Sequence, residues 1–254
     1  MWENKIEQVK PLIDHHEKGF ADFIDIAIHD LDAPLRKLSL LIERLTINCE
    51  DITGNIETKE LIIRINSCIT DMRALIHELS ELNEAGTAVQ YDSIDTAELV
   101  KEILEELQQD IAEKKATIQS AALPVLQGNA KQLKKLFRHI IDNAIKFNSG
   151  NVSPQIEIKS SKLHGEEKKS YDLETTKEYY KIEISDNGIG IKEGYTKKIF
   201  EPFVRLNAKP TFAGSGLGLA ICKKIIENHK GLIYAENLEN TGTQITLILP
   251  ETAN

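Results

Sequence analysis

No run of about 18 apolar residues occurs in the 254-residue chain, so no segment is expected to cross a bilayer as a helix. Cysteine is scarce, and Cys49, Cys68 and Cys222 are odd in number and far apart. That spacing excludes a disulfide framework and a zinc site, and a reducing, cytoplasmic setting is the expectation. Basic charge is in deficit. The 31 Lys and Arg stand against 40 Asp and Glu, a net −9, which argues against a broad footprint on DNA or RNA. The first twenty residues are too charged for a signal peptide. What is present is 41% hydrophobic and 28% charged. This is ordinary globular composition, at a length that suits one to two domains.

Proline and glycine are nearly missing from the first part of the chain after its leader, where only Pro34 and Gly54 occur. Apolar residues there run Phe20, Ile24, Ala27, Leu31, Leu35, Leu38, Ile42 and Leu45, in steps of three and four that define one helical face. A second run, Leu61, Ile65, Cys68, Met72, Leu75, Leu79 and Leu82, is an unbroken heptad, widened by Ile62, Ile69 and Ile76. Polar residues 48–55 between the runs carry turn chemistry. The pattern predicts an antiparallel helical hairpin whose faces are too broad to cover each other. A second copy would complete a four-helix bundle across a homodimer. The leader repeats the spacing at Ile6, Val9, Ile13, His16 and Phe20, interrupted by Pro11 and Gly19. It reads as a coiled-coil lead-in or as a frayed terminal helix.

After Gly86 the texture becomes mixed. Asp95, with Glu98 three residues on, predicts an N-cap for a helix reaching about Glu113, and Asn129 predicts another for a helix to Phe147. Residues 156–158 and 180–184 alternate as half-buried strands. The polar stretch 159–178 between them is expected to be an extended hairpin tip. A helix from Gly216 to His229, stopped by Gly231, and a closing hairpin of residues 233–235 and 244–249 complete the reading.

Several residues carry possible chemistry. His29 lies almost opposite the apolar stripe of its helix and so faces solvent, with Asp30 beside it. Pro34, five residues on, removes a helix hydrogen bond at a cost of about 3 kcal/mol unless compensated. Asp186-Asn187-Gly188-Ile189-Gly190 directly follows a strand. Its glycines would let a flat ligand approach backbone, and its carboxylate suits an exocyclic amine such as adenine's; a simple turn is the alternative. Gly214-Ser215-Gly216-Leu217-Gly218-Leu219 opens a helix, where phosphates can bind or where tight packing needs glycine. It is neither a P-loop nor a dinucleotide fingerprint. His139, Asn143, Lys146 and Phe147 share one helical face. Asn143 can offer an oxygen to Mg²⁺ and Lys146 can meet phosphate charge, or the face is merely a polar edge. Between the glycine clusters, residues 191–213 form a candidate lid, with Phe200 and Phe203 as its latch or as plain core.

In this order the segments resemble the sensor histidine kinases of two-component signalling, over nearly the whole chain. Residues 29–35 (HDLDAPL) resemble the phosphoacceptor box of the phytochrome-like and PAS-linked group. Residues 137–148 (FRHIIDNAIKFN) resemble the N box, 186–191 (DNGIGI) the G1 box, 199–206 (IFEPFVRL) the F box and 214–231 (GSGLGLAICKKIIENHKG) the G2 box. Gly242-Thr243 resembles the closing G3 element.

The resemblance implies an α+β chain with a coiled-coil lead-in (1–19), a dimerisation and histidine phosphotransfer hairpin (20–86) and a catalytic α/β sandwich (90–254). The sandwich is the ATP-binding type shared with DNA gyrase and the heat-shock chaperones. It implies that His29 is phosphorylated by ATP with Mg²⁺ and passes the phosphoryl group to an aspartate of a response-regulator receiver domain. Asp30 would orient the imidazole. Asp186 would hold the adenine amine, with Gly188 and Gly190 beside the ring and Thr243 in support. Asn143 would hold Mg²⁺ and Lys146 would neutralise phosphate. Gly214, Gly216 and Gly218 would hinge the lid and open the phosphate-facing helix. A short leader holds no sensor, so an upstream sensor domain or a separate input protein is expected. Three positions depart from the family. Asp30 is shorter by one methylene than the more frequent Glu. Ala33 stands where kinases with phosphatase activity carry Thr or Asn, which predicts little dephosphorylation of the partner. His139 stands where the gyrase-like branch carries a Glu that activates water, which argues against hydrolysis as the main activity.

Overall fold

Residues 31, 35–43, 56–85, 90–148, 152–206, 215–238 and 242–252 are described by the computed structural model, and the chain divides after Glu84 into two units. His29, the expected phosphoacceptor, and its neighbour Asp30 lie outside the described residues, as do Pro34, the turn at 48–55, the leader and Gly214.

The first unit shows helical residues 35–43 and a 29-residue helix α1 (Ile56–Glu84) with neither glycine nor proline inside it. Its two apolar columns have different fates. Ile69 is 4% exposed, and Ile62 and Ile76 beside it are half-buried. Leu61, Ile65, Met72 and Leu75, one column over, are exposed, as are Leu38, Leu40 and Leu41. Within one chain the unit covers a single stripe and leaves the other in water, an arrangement the hydrophobic effect disfavours.

The second unit is a sheet covered by helices. β1 (Asp92–Asp95) pairs antiparallel with β3 (Val125–Gly128) in a separate two-stranded sheet. The main sheet has five strands in the order β2-β4-β5-β7-β6: β2 (Thr117–Ser120), β4 (Gln155–Lys162), β5 (Tyr179–Asp186), β7 (Thr243–Pro250) and β6 (Leu232–Asn237). Only β2 runs parallel to its neighbour; the other pairings are antiparallel. Ile156, Ile158, Ile182, Ile184, Ile245 and Leu247 are buried and alternate along their strands, so one face of the sheet forms the core. Helix α4 (Ala130–Lys146) presents Leu133, Leu136, Phe137, Ile140, Ile141, Ala144 and Ile145 to it, and α6 (Gly218–Asn228) presents Ile221, Cys222, Ile225 and Ile226. Both sets follow the three-and-four spacing of a single helical face.

The predicted caps are present. Asp95 accepts from the N–H groups of Ala97 and Glu98 at the start of α2 (Thr96–Glu106), and Asn129 accepts from Gln132 at the start of α4. The expected single helix to Glu113 is instead two, α2 and α3 (Gln108–Lys114), separated at the buried Leu107. The expected extended tip is also different. β4 runs on to Lys162, and a short helix α5 (Gly165–Ser170) follows, capped reciprocally by His164 and Glu167. Buried Lys168 anchors this segment, its Nζ donating to the carbonyl of Lys177 at 2.7 Å and to Glu178 at 3.3 Å. Its purpose is a second, smaller core. Tyr171 and Leu173 pack over Leu163, Tyr179 and Ile248, on the sheet face that the large helices leave open.

Candidate nucleotide site

The end of β5, the end of α4 and the start of β7 converge on one carboxylate. Asp186 Oδ1 accepts the N–H of Gly188 at 2.7 Å and the N–H of Thr243 at 3.2 Å. Burial pushes this carboxyl's pKa up, and the two amides pull it partly back. Both amides fall on Oδ1, and among the described residues no hydrogen bond falls on Oδ2. That oxygen can accept a hydrogen bond from a ligand amine.

Glycine is required around Asp186 by close approach. A Cβ on Gly188 would run into the carbonyl oxygen of Phe147 and lie 2.7 Å from Asp186 Oδ1. A Cβ on Gly242 would run into the carbonyl oxygen of Asp186. The backbone of Ile189 also donates to the Phe147 carbonyl at 3.0 Å, so the glycine turn is laced to the end of α4. Asn187 staples the other side: its Oδ1 accepts from Gln155 N–H at 2.8 Å, and its Nδ2 donates to the Ser153 carbonyl at 3.0 Å. The turn is thus preorganised by its contacts on both sides.

Asn143 and Lys146 lie in the last turns of α4, half-buried. Among the described residues the Asn143 side chain makes no hydrogen bond and Lys146 makes no ion pair; Lys146 Nζ sits 5.8 Å over the Phe147 ring. An amide oxygen and an ammonium beside the turn suit a magnesium-bound polyphosphate. Magnesium needs few protein ligands when phosphates supply the rest, and the described residues hold no acidic or histidine cluster to compete. Lys114 of α3, which sequence reasoning missed, caps this helix end by donating to the carbonyls of Ile145 and Lys146 at 3.3 and 3.4 Å.

The two phenylalanines of the candidate lid part company. Phe200, in a 3-10 turn (Lys198–Phe200), is buried. Phe203 is exposed, with a left-handed φ of 63°, and its N–H donates to the carbonyl of Gly216 at 3.0 Å. Gly216 itself has a φ of 81°, and a Cβ there would lie 2.9 Å from the Val204 carbonyl oxygen, so the middle of the candidate lid packs against the residues that precede α6. A Cβ on Gly218 would lie 3.2 Å from His139 Nδ1, so the start of α6 packs against α4 one turn before Asn143. The structure therefore brings Asp186, Gly188, Gly190 and Thr243 together beside Asn143 and Lys146, with Gly216 and Gly218 on the neighbouring helix start. Sequence reasoning also missed Asn237, which grips the residue after the turn. It lies 46 positions from its partner, and no local pattern marks it.

Residues 128–253 match the family of histidine kinase-, DNA gyrase B- and HSP90-like ATPases. Among curated proteins, the chain is 31% identical over 229 residues to Cyanobacterial phytochrome A of a Nostoc species, covering 90% of this chain and 28% of that protein. It is 31% identical over 250 residues to Phytochrome-like protein Cph1 of a Synechocystis species, covering 96% and 31%. It is 27% identical over 248 residues to Sensor protein kinase WalK of Staphylococcus aureus, covering 92% and 54%. The chain thus spans about a third of the length of the first two relatives. Two solved structures share its fold. Full-length ShkA in complex with AMPPNP gives a TM-score of 0.68 at 17% identity, over 90% of this chain and 45% of that one. Histidine kinase ThkA in complex with response regulator protein TrrA gives 0.62 at 19% identity, over 97% and 67%.

Proposed function

Because residues 128–253 match the histidine kinase-, DNA gyrase B- and HSP90-like ATPase family and the chain is similar to Sensor protein kinase WalK over about nine-tenths of its length, we propose that it is the core of a sensor histidine kinase. In this reading ATP phosphorylates His29, and the phosphoryl group then passes to an aspartate of a response-regulator receiver domain. The observation that carries the nucleotide half is Asp186, a half-desolvated carboxylate with one oxygen fixed by Gly188 and Thr243 and the other left for an amine.

The nucleotide supplies the transferable phosphoryl group, and Mg²⁺ offsets its charge. Asp186 orients the base by its exocyclic amine, with Gly188 and Gly190 lying flat against the ring. Asn143 would offer an oxygen to Mg²⁺, and Lys146 would meet the charge of the phosphates. Segment 191–213 would close over them, hinged at Gly214, Gly216 and Gly218, with Phe200 anchored in the core and Phe203 at the surface. His29 is the acceptor through Nε2. An ordinary imidazole titrates near ~6.5 and is mostly neutral at cytoplasmic pH, as a nucleophile must be. Asp30 accepts from Nδ1–H, fixing the tautomer and stabilising the imidazolium as it forms.

Residues 20–86 would serve as the dimerisation and phosphotransfer domain and residues 90–254 as the catalytic domain. The exposed column Leu61, Ile65, Met72 and Leu75 favours a second copy of the hairpin, completing a dimeric four-helix bundle. An upstream sensor or a separate input protein would drive the kinase.

Incubation with γ-labelled ATP and Mg²⁺ tests the assignment, with wild type beside His29→Gln. Acid-labile label on wild type alone is expected. Label on the variant, or on neither protein, overturns it.

A further inference from the structure

Ile191, the residue that leaves the glycine turn, is gripped by a side chain from the far hairpin. Asn237, the last residue of β6, accepts the N–H of Ile191 through Oδ1 and donates from Nδ2 to the carbonyl of Ile191, both at 2.7 Å. One planar amide bonded twice to one residue's backbone fixes rotation as well as position, as a rung of a β-ladder does. Gly190, at a φ of 73°, lies against the same side chain, and a Cβ there would sit 3.2 Å from Asn237 Oδ1. The same hairpin holds the other end of the turn, through Thr243 N–H on Asp186 Oδ1 at 3.2 Å. Leu238 N–H closes the hairpin onto the Gly242 carbonyl between those two points.

We infer that Asn237 is a positioning residue for the nucleotide: it sets the exit of the base-binding turn and the direction in which the candidate lid departs, without touching the ligand. This rests on reading Asp186 and its turn as the ATP site. Asn237 is exposed at a strand end, so it buries little surface and contributes little packing. Its two hydrogen bonds are spent on placing a single residue's backbone. Asp186 sets where the base amine goes, and Asn237 sets where the backbone flanking Gly190 goes. A turn held at one end alone would let Gly190 swing away from the ring plane.

Two variants of the full chain test this. Asn237→Leu keeps the side chain's bulk and removes both bonds. Without nucleotide, its Ile191 amide is expected to exchange hydrogen at least about tenfold faster, with the core amide of Leu247 unchanged. Its affinity for ATP, measured by calorimetry, is expected to fall at least about fivefold. Asn237→Asp keeps the acceptor for Ile191 N–H but turns a second oxygen on the Ile191 carbonyl. Protonation restores a donor, so its affinity deficit relative to wild type should shrink between about pH 6 and about pH 4, the range in which an exposed aspartate takes up its proton. A merely structural role would not produce that profile. Faster exchange at Ile191 with ATP affinity still within about twofold of wild type, or an Asn237→Asp deficit that ignores pH, overturns the inference alone. Wild type that binds no ATP overturns the nucleotide reading and this inference with it.

Discussion

His229 Nε2 accepts the backbone N–H of Asn129 at 3.1 Å, joining the end of α6 to the residue that caps α4. Nδ1 lies 2.8 Å from the Ile225 carbonyl, so the hydrogen is assigned to Nδ1 and the ring is neutral. Around it the chain entering the second unit is fastened. Tyr91 packs edge-on to the imidazole at 5.2 Å and donates through its hydroxyl to the Asn228 carbonyl at 2.8 Å. Asn228 Nδ2 donates to the Ala85 carbonyl, and Asn129 Nδ2 to the Gln90 carbonyl at 3.3 Å. A buried neutral imidazole thus underlies the attachment of Ala85, Gln90 and Tyr91.

Burial lowers the His229 pKa, with the Ile225 carbonyl pulling it partly back up. The unfolded imidazole titrates near ~6.5. Below that value the unfolded state takes up the proton first, so stability falls as pH drops, and it stops falling below the folded value. The thermal midpoint of the full chain should therefore decline from about pH 7 to about pH 5.5, and His229→Gln should flatten that decline. At neutral pH the variant should lose about 1–3 kcal/mol, since it strands the Asn129 N–H or the Ile225 carbonyl. Identical pH profiles for the two proteins would show that another group titrates.

Asp186 gives the opposite sign. Its carboxyl is raised above the unfolded value near ~3.9 by burial. Ionisation therefore weakens the fold as pH rises through that interval, and the deficit persists at neutral pH. Asp186→Asn keeps an acceptor for the Gly188 and Thr243 amides and removes the charge. Its nucleotide-free thermal midpoint should rise, while ATP affinity drops by at least about tenfold, because an amide donor then faces the base amine. A variant that binds ATP as wild type does would remove Asp186 from the site.

Much of this geometry was legible from the chain alone where the signal is local. The alternation of Ile156 with Ile158 and of Ile182 with Ile184 announced the central strands, and Asp95 and Asn129 announced their helix starts. The 186–190 segment announced a turn that something flat could approach. Non-local pairing was silent. The strands Asp92–Asp95 and Val125–Gly128 are only four residues each, and they pair with each other across an intervening helix pair and strand. Asn237 resembles any surface asparagine until the β6–β7 hairpin carries it to Ile191. Gly231 reads as a helix stop, and its N–H does close on the Ile226 carbonyl at 2.8 Å, but the left-handed residue there is Lys230 at a φ of 56°. Gly231 is glycine because the carbonyl of Ile248 leaves no room for a Cβ.

Gly188→Ala tests the closeness of the turn to α4. The added methyl meets the Phe147 carbonyl oxygen and Asp186 Oδ1, neither of which can move without breaking the Ile189 bond to Phe147 or the Gly188 bond to Asp186. A cost of about 1–3 kcal/mol in stability is expected, as for other overpacked sites. Nucleotide affinity should fall further than Gly194→Ala lowers it. Gly194 also has a left-handed φ, 79°, but open space around it, so that control carries backbone strain without the collision. Equal losses in the two variants would mean that the turn tolerates displacement.

The two columns of α1 allow packing within a chain to be separated from packing between chains. Ile69 is buried at 4% exposure, and Ile69→Ala should destabilise the helical unit by about 2–4 kcal/mol through the cavity it leaves. Met72, 41% exposed one column away, contributes little to the single chain. Met72→Glu would place a charge at the proposed centre of a bundle, where an unpaired carboxylate costs far more than it does in water. Sedimentation of wild type should give a dimer and Met72→Glu a larger monomer fraction, with the helical content of each chain retained at low temperature. The distinction rests on which column the single chain already covers. If Met72→Glu stays dimeric while Ile69→Ala dissociates, the buried column belongs to the subunit interface and the exposed one faces solvent.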